Sequence, residues 1–282
     1  MTSHPFKRIA AISIVRNDDF FIPKWISYYG GMLGKKNLFL IMDGHDQGRP
    51  AGTKGLNLIR LPRIDQTRVS GDRDRSRLVS HLARALFHRY DIVIAHDIDE
   101  FLVLDPDTGQ TLPEYLTEKS THLSLSGLGL DVGQHLELEG PIDPSRPFLD
   151  QRSYAHVSAR YTKSVVANRP LTWGSGFHRV KGHNFHIDPN LYVFHFGVVD
   201  YNRYKEKRAD QSLLNEGWKG HLKRRHGLFD LILNSEALEG DGFFRTARRR
   251  QSLYRPLHAW NKPGKLKEKP VIKIPERFRT II

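Results

Sequence analysis

The first apolar run of the chain, Ile9-Ala10-Ala11-Ile12-Ser13-Ile14-Val15, stops abruptly at Arg16-Asn17-Asp18-Asp19. A short β-branched run without polar alternation predicts a strand covered on both faces that leads into a polar loop. Trp25, Tyr28, Tyr29 and Met32 then recur at helical spacing and predict a helix over residues 22–32, stopped by Gly34. Asn37-Leu38-Phe39-Leu40-Ile41-Met42 predicts a second strand, closed by the turn-forming residues Asp43-Gly44-His45-Asp46. Residues 56–61 alternate like a third strand. Asp72 is the expected cap of a helix reaching Tyr90, with Leu78, Leu82, Ala85 and Leu86 on one face and Arg73, Arg77 and Arg84 on the other. Ile92-Val93-Ile94-Ala95 reads as another buried strand. Strands alternating with helices in this way imply a mainly parallel sheet with ligands at the carboxyl ends of its strands.

After residue 105 the pattern changes. Thr111-Leu112-Pro113-Glu114 carries a capping-box signature for a short helix. Strand candidates follow near 121–130, 154–166 and 191–196, separated by Gly- and Pro-rich loops. Residues 201–235 read as helical and 241–282 as an irregular or partly helical tail. The expected fold class is therefore α/β: a Rossmann-like, mainly parallel sheet with a mixed second half and a helical to irregular C-terminal extension. The expected organisation is one domain over 1–200, with halves 1–105 and 106–200, followed by an extension over 201–282.

Composition narrows the chemistry. With 39% hydrophobic and 27% charged residues in 282 positions, the chain is ordinary for a globular protein with a sizeable core. It has no cysteine, so disulfides, thiolate metal sites and cysteine nucleophiles are excluded; any metal must be held by Asp, Glu, His or water. The N-terminal residues lack the apolar core of a secretory signal, and no stretch approaches the roughly 18 apolar residues of a membrane span. The expectation is a cytoplasmic protein that can meet the inner face of the cell membrane as a peripheral partner. Net charge is +13, and residues 201–282 hold 20 of the 44 Lys/Arg against 9 Asp/Glu. The basic character thus belongs to the C-terminal part, where Arg248-Arg249-Arg250 stands out as a run suited to an anionic membrane surface or an anionic acceptor; the alternative is a plain solvated face.

Asp97 and Asp99 lie just beyond the most apolar strand, in Asp97-Ile98-Asp99-Glu100-Phe101. In an extended strand two such residues point to opposite faces, but where the chain turns both carboxylates can approach one divalent cation. Hard oxygen ligands suit Mg2+ or Mn2+, and such a cation bridges the phosphates of a nucleotide diphosphate. Apolar sequence on both sides leaves little structural reason for three acids there.

This motif resembles that of the family 2-like glycosyltransferases of the GT-A fold, in the bacterial branch that reads Asp-x-Asp-Glu-Phe. The resemblance runs from Ile12 to about Asp105 through Val15-Arg16-Asn17-Asp18, Trp25-Ile26-Ser27-Tyr28-Tyr29, Gly34 and Leu40-Ile41-Met42-Asp43, and extends to Tyr161-Thr162-Lys163 and Trp173-Gly174-Ser175-Gly176-Phe177-His178. It does not reach residues 201–282. The resemblance implies a hexosyltransferase-like enzyme that takes a nucleotide-diphospho-sugar donor, uses Mn2+ or Mg2+ and transfers the sugar with inversion to a saccharide or lipid-linked saccharide, as in surface polysaccharide or glycoconjugate synthesis. Asp97 and Asp99 match the metal and diphosphate motif, Asp43 the position that meets base or ribose, and Asn17 the first donor-binding loop. Where the branch commonly has Glu after that first Asn, this chain has Asp18-Asp19. A histidine from the second half is expected to complete the metal shell: His195, in an apolar strand-like run, ahead of His178, with His183 and His186 behind. Inversion also requires a general base, for which Asp131, Glu137 and Glu139 are candidates, Asp131 favoured. Arg73, Arg77 and Lys163 are candidate phosphate or acceptor contacts.

Two other functions compete. A magnesium-dependent nucleotidyltransferase or phosphohydrolase would use the same acid pair, although the chain has no Gly-x-x-x-x-Gly-Lys-Ser/Thr loop. A nucleic-acid-binding protein would use the basic tail with Phe243, Phe244, Tyr254 and Trp260 interleaved, but leaves the acidic motif without a role.

Overall fold

The structure is a computed structural model that describes residues 6–183, 185–215 and 217–282. The first half runs β1 (Ile9–Val15), α1 (Phe21–Leu33), β2 (Leu38–Asp43), β3 (Asn57–Leu61), α2 (Arg68–Leu86) and β4 (Ile92–Ala95). β1 is buried at every position, since it lies between β2 and β4, parallel to both. β3 extends the parallel set beyond β2. The continuous apolar runs are what a strand with both faces covered requires. α2 starts earlier than expected: Thr67 is its cap, accepting from the Ser70 N–H at 3.3 Å, and the helix ends at Leu86 rather than Tyr90. Asp72 instead lies inside the helix, paired with Arg68 and Arg75.

The chain continues through β5 (Glu100–Leu104), α3 (Leu112–Glu118), β6 (Ser124–Gly133), α4 (Phe148–Gln151), β7 (Tyr154–Val157), β8 (Val166–Ala167) and β9 (Ile187–Val198). The capping box at Thr111 and Glu114 is present. The expected strand over 154–166 is two short strands, because the intervening segment turns back on itself with the Thr162 N–H donating to the Ser158 carbonyl. That turn carries Tyr161 and Lys163 towards the carboxyl end of β4.

Beyond β9 lie α5 (Tyr201–Ala209), α6 (Gln211–Asn215), α7 (Lys219–Asn234), β10 (Leu238–Glu239), α8 (Gly240–Leu253) and β11 (Val271–Lys273). Sheet order is β10-β11-β7-β6-β8-β4-β1-β2-β3, with β9 pairing β6 and β5. The first half is thus parallel and the second mixed, as the change of pattern after residue 105 implies. β11 adds a strand from the basic segment to the sheet, and Phe278 is buried against Tyr192 and Phe194 with ring centroids 5.1 and 5.4 Å away.

α1 fixes the acidic segment. Trp25 and Tyr29 are fully buried. The Tyr29 hydroxyl accepts from the Leu102 N–H and the Tyr28 hydroxyl donates to the Leu102 carbonyl, each at 2.8 Å. The outer edge of β5 is clamped by the two tyrosines, so the turn 96–99 between β4 and β5 has both ends held.

Candidate active site

β9 lies between β5, antiparallel, and β6, parallel, with His195 opposite both Glu100 and Asp131. Residues paired across neighbouring strands share a face, so strand pairing alone brings the three side chains into one row. β9 carries an irregularity where Asp131 and Gly133 of β6 face His195 and Val198. Phe196 and Gly197 there stand opposite the single Val132, and Gly197 sits against the imidazole: a Cβ on it would meet His195 Nε2 at 2.8 Å and Asp99 Oδ2 at 3.2 Å. A bulge of this kind re-aims a side chain, and only glycine leaves the space open.

The His195 Nδ1 lies 2.7 Å from Asp131 Oδ1, and its Nε2 lies 3.4 Å from Asp99 Oδ2. Arg225, from α7, donates to both Asp131 oxygens at 2.7 and 2.9 Å and to the Tyr161 hydroxyl at 3.0 Å. The Tyr161 ring stacks on the imidazole at 3.7 Å. Burial disfavours the charged imidazole, but the Asp99 and Asp131 carboxylates outweigh it and push His195 up to about 9. Burial likewise opposes ionisation of Asp131, yet Arg225 and His195 hold its carboxyl well below the usual range. Asp99 is depressed in the same way by His195.

On the other side of the turn, Lys163 is buried and its ammonium donates to Asp97 Oδ2 at 2.8 Å and to Glu100 Oε1. The two carboxylates more than offset the burial of Lys163 and keep it protonated. Burial pushes Glu100 up to about 8 against the pull of Lys163. Its second oxygen, Oε2, is buried without a hydrogen-bond partner among the described residues. A buried carboxyl oxygen without a partner costs free energy unless something satisfies it.

The same cluster has the donor set of a divalent-cation site. Ligand atoms of Asp99, Glu100 and His195 all lie within 4.8 Å of one another. An oxygen and a nitrogen ligand each about 2.1 Å from one cation stand roughly 3.0–3.4 Å apart, the separation of Asp99 and His195. Asp131 holds Nδ1 as a protonated nitrogen, the usual carboxylate–histidine arrangement behind a ligand, and with His195 raised to about 9 a cation would take the place of the proton on Nε2. Two carboxylates and one imidazole suit Mn2+ better than Mg2+, which favours oxygen alone. The residues fit the group.

The other expected residues are not part of the cluster of Asp99, Glu100 and His195. Asp97 is half-exposed and engaged by Lys163, so Asp99 rather than Asp97 faces the imidazole. His178 is on the Asp97 side: its Nδ1 lies 2.9 Å from the Arg160 carbonyl, and burial with the nearby Lys163 charge drives it down to about 3. His183 and His186 are exposed, the latter stacked on His122. Arg73 and Arg77 lie on the exposed face of α2, whereas the charge of Arg75 reaches Asp97. Glu137 is exposed in the turn after β6, and Glu139 accepts the backbone N–H groups of His135 and Ser153. Asp43 accepts from Arg63 at 2.8 Å. Asn17 adopts a left-handed backbone (φ 48°), with its N–H on Gln47 at 2.7 Å. Together with Asp18, Met42 and Arg49 it lines a cavity of about 480 Å³. Burial raises Asp18, with the Lys207 charge opposing and the Asp99 charge adding to the rise, so this cavity residue lies within range of the Asp99 charge.

Sequence reasoning missed Arg225, Gly197 and the charge of Lys207 from α5. The signal for Arg225 was available: Leu222, Arg225, Leu228, Phe229 and Ile232 form one buried stripe of α7, and a cation inside such a stripe needs a partner. Gly197 had none, because the bulge is visible only once β6 and β9 are paired.

Known sequence families and curated proteins yield no match to this chain. Among solved structures it is similar to a CMP:2-keto-3-deoxy-manno-octonic acid synthetase complexed with CTP, at 12% identity and TM-score 0.31 over 78% of this chain and 86% of that one. It is also similar to a mannose-1-phosphate geranyltransferase from Thermus thermophilus, at 11% identity and TM-score 0.30 over 86% of this chain and 67% of that one. Likeness this shallow defines neither family nor activity, and the chemistry rests on the residues of this chain.

Proposed function

We propose that the protein is a divalent-cation-dependent glycosyltransferase that moves a sugar from a nucleotide-diphospho-sugar to an acceptor hydroxyl. The observation that carries this reading is the cluster of Asp99, Glu100 and the Asp131-anchored His195, in which Glu100 keeps a buried carboxyl oxygen without a partner, together with a cavity whose wall residue Asp18 lies within range of the Asp99 charge. Asp99, Glu100 and His195 hold the cation, which when bound supplies positive charge for the diphosphate leaving group. Lys163 holds Asp97 and Glu100 in place, and Arg75 and Lys207 add positive charge around the same turn. The cavity lined by Asn17, Asp18, Met42 and Gln47 takes the nucleoside. Asp131, whose oxygens are already occupied by Arg225 and His195, acts as a positioning residue behind the imidazole rather than as the proton acceptor.

The test has two stages. Nucleoside diphosphates and their sugars are screened by thermal shift with and without Mn2+, since a ligand that binds only the folded state raises the melting temperature. The stabilising donor is then incubated with saccharide and lipid-linked saccharide acceptors and the products are identified. Nucleoside diphosphate together with a glycosylated acceptor supports transfer. Pyrophosphate or inorganic phosphate as the released product replaces this reading with nucleotidyl transfer or phosphate hydrolysis.

A further inference from the structure

Four of the nine exposed large apolar side chains among the described residues, Leu253, Tyr254, Leu257 and Trp260, fall within residues 253–260. They are carried by a knuckle with a closed base. The Gly264 N–H donates to the Gln251 carbonyl at 2.7 Å, and a Cβ on Gly264 would stand 2.3 Å from the Tyr254 carbonyl oxygen, so only glycine lets the two limbs approach. Ala259, Pro263 and Gly264 point inward, while Leu257 is 98% and Trp260 55% exposed. Asn261 ties the tip to the Val180 carbonyl at 3.0 Å, and Arg255 lies over the Phe185 ring at 4.3 Å. The apolar side chains are therefore held outward on a fixed frame.

Charge says what meets them. Residues 245–269 contain nine Lys/Arg and one acid, Glu268, which pairs with Arg250 at 3.6 Å. Lys262 is crowded by Arg179, Arg160 and Lys265, all cations. The run Arg248-Arg249-Arg250 is not the uniform surface stripe expected from sequence: Arg248 donates to the Asp188 carbonyl at 3.1 Å and lies over the Tyr192 ring, so it packs on the body of the protein. Two aliphatic side chains, a tyrosine and a tryptophan at the tip of a cationic rim match the interfacial layer of a bilayer with anionic headgroups, where aromatic rings settle and lysines are attracted.

We infer that the knuckle 253–264 docks the protein on an anionic lipid bilayer, with Leu257 and Trp260 inserted and Lys262, Lys265 and Lys267 against the headgroups. Asn261 bonds to Val180 and Lys262 feels the Arg179 charge, so the docked knuckle adjoins the segment that carries His178 on the Asp97 side of the site. If the proposed transferase reading holds, the acceptor is then membrane-borne. The docking itself does not depend on that reading.

The experiment uses the full chain with vesicles of phosphatidylcholine alone and of phosphatidylcholine with phosphatidylglycerol in roughly a two-to-one ratio. The expected result is sedimentation with the anionic vesicles at low salt, release at high salt and a blue shift of tryptophan emission that Trp260→Phe removes. The pair Leu257→Ser and Trp260→Ser should lower partition about tenfold with an unchanged melting temperature, because both side chains are exposed. Lys265→Gln with Lys267→Gln, also at exposed positions, should lower it to a similar degree. Absence of binding to anionic vesicles at low salt, or equal binding by either double variant, overturns the proposal. Salt-sensitive binding of a random oligonucleotide without vesicle binding assigns the surface to nucleic acid instead. Vesicle binding is read without donor or cation, so its failure is distinguishable from failure of the transferase reading.

Discussion

His195 Nε2 stands 3.4 Å from Asp99 Oδ2 while its Nδ1 is committed to Asp131. One imidazole thus joins the acidic turn after β4 to the buried ion pair of Asp131 with Arg225, and the two halves of the chain meet at that ring. Either replacement, Asp99→Asn or His195→Ala, should abolish stabilisation by Mn2+. For a cation at about 100 times its Kd the parent gains about 2.7 kcal/mol, which for a chain of this size is a rise of several degrees. Calorimetric melting with and without Mn2+ checks this, and an undiminished rise in both variants would rule the site out.

Gly197→Ala tests the space beside the ring. The added methyl would press on His195 Nε2 and Asp99 Oδ2, the two atoms proposed to share the cation. Overpacking of this kind costs about 1–3 kcal/mol, and the expected signature is a folded protein that no longer binds Mn2+. Titration followed by electron paramagnetic resonance of free Mn2+ reads it directly; affinity equal to the parent would mean that the cation lies elsewhere.

Asp131→Asn separates two roles. As a positioning residue Asp131 sets the tautomer of His195, so its loss should weaken Mn2+ affinity about 10–100-fold. It should also cost about 3 kcal/mol in stability, because Arg225 is left buried beside a neutral amide. As a proton acceptor it would instead lower turnover with cation affinity intact. Paired measurements of Mn2+ affinity and turnover on the same preparation distinguish the two outcomes.

The first half of the fold was legible because burial on both faces writes itself as unbroken apolar sequence in β1, β2 and β4. The acidic turn was legible for the opposite reason, as charge where apolar flanks leave no need for it. The start of α2 was not, since Thr67 and Asp72 are both acceptable caps and only the chain path after β3 selects the first. Nor was the role of Glu100: its register against His195 depends on β5 pairing with β9, a contact between distant parts of the chain that local pattern does not encode. In the same way, Arg248 reads as one more cation in a basic run until the ring of Tyr192 is found beneath it.

The last prediction concerns what ties the C-terminal segment to the sheet. Arg277 donates to Asp105 at 2.7 and 2.9 Å and to Asp241, and the Tyr192 hydroxyl lies 3.1 Å from the same Asp105 carboxylate. Both Arg277 and Asp105 are largely buried. Burial alone would raise the Asp105 pKa, but the Arg277 hydrogen bonds outweigh it and depress the group below its ordinary value. A depressed carboxylate binds fewer protons folded than unfolded, so its stabilisation is present above the unfolded pKa of about 3.9 and is lost as pH falls through the lower, folded value. Replacing Arg277 by Gln should therefore cost about 2 kcal/mol at neutral pH, as expected for partly buried hydrogen bonds to a charged group. The difference between parent and variant should hold down to about pH 5 and shrink as pH falls below about 4. Urea unfolding of both proteins across that range measures it, and a difference that is independent of pH would show that Arg277 acts through packing on Phe278 rather than through Asp105.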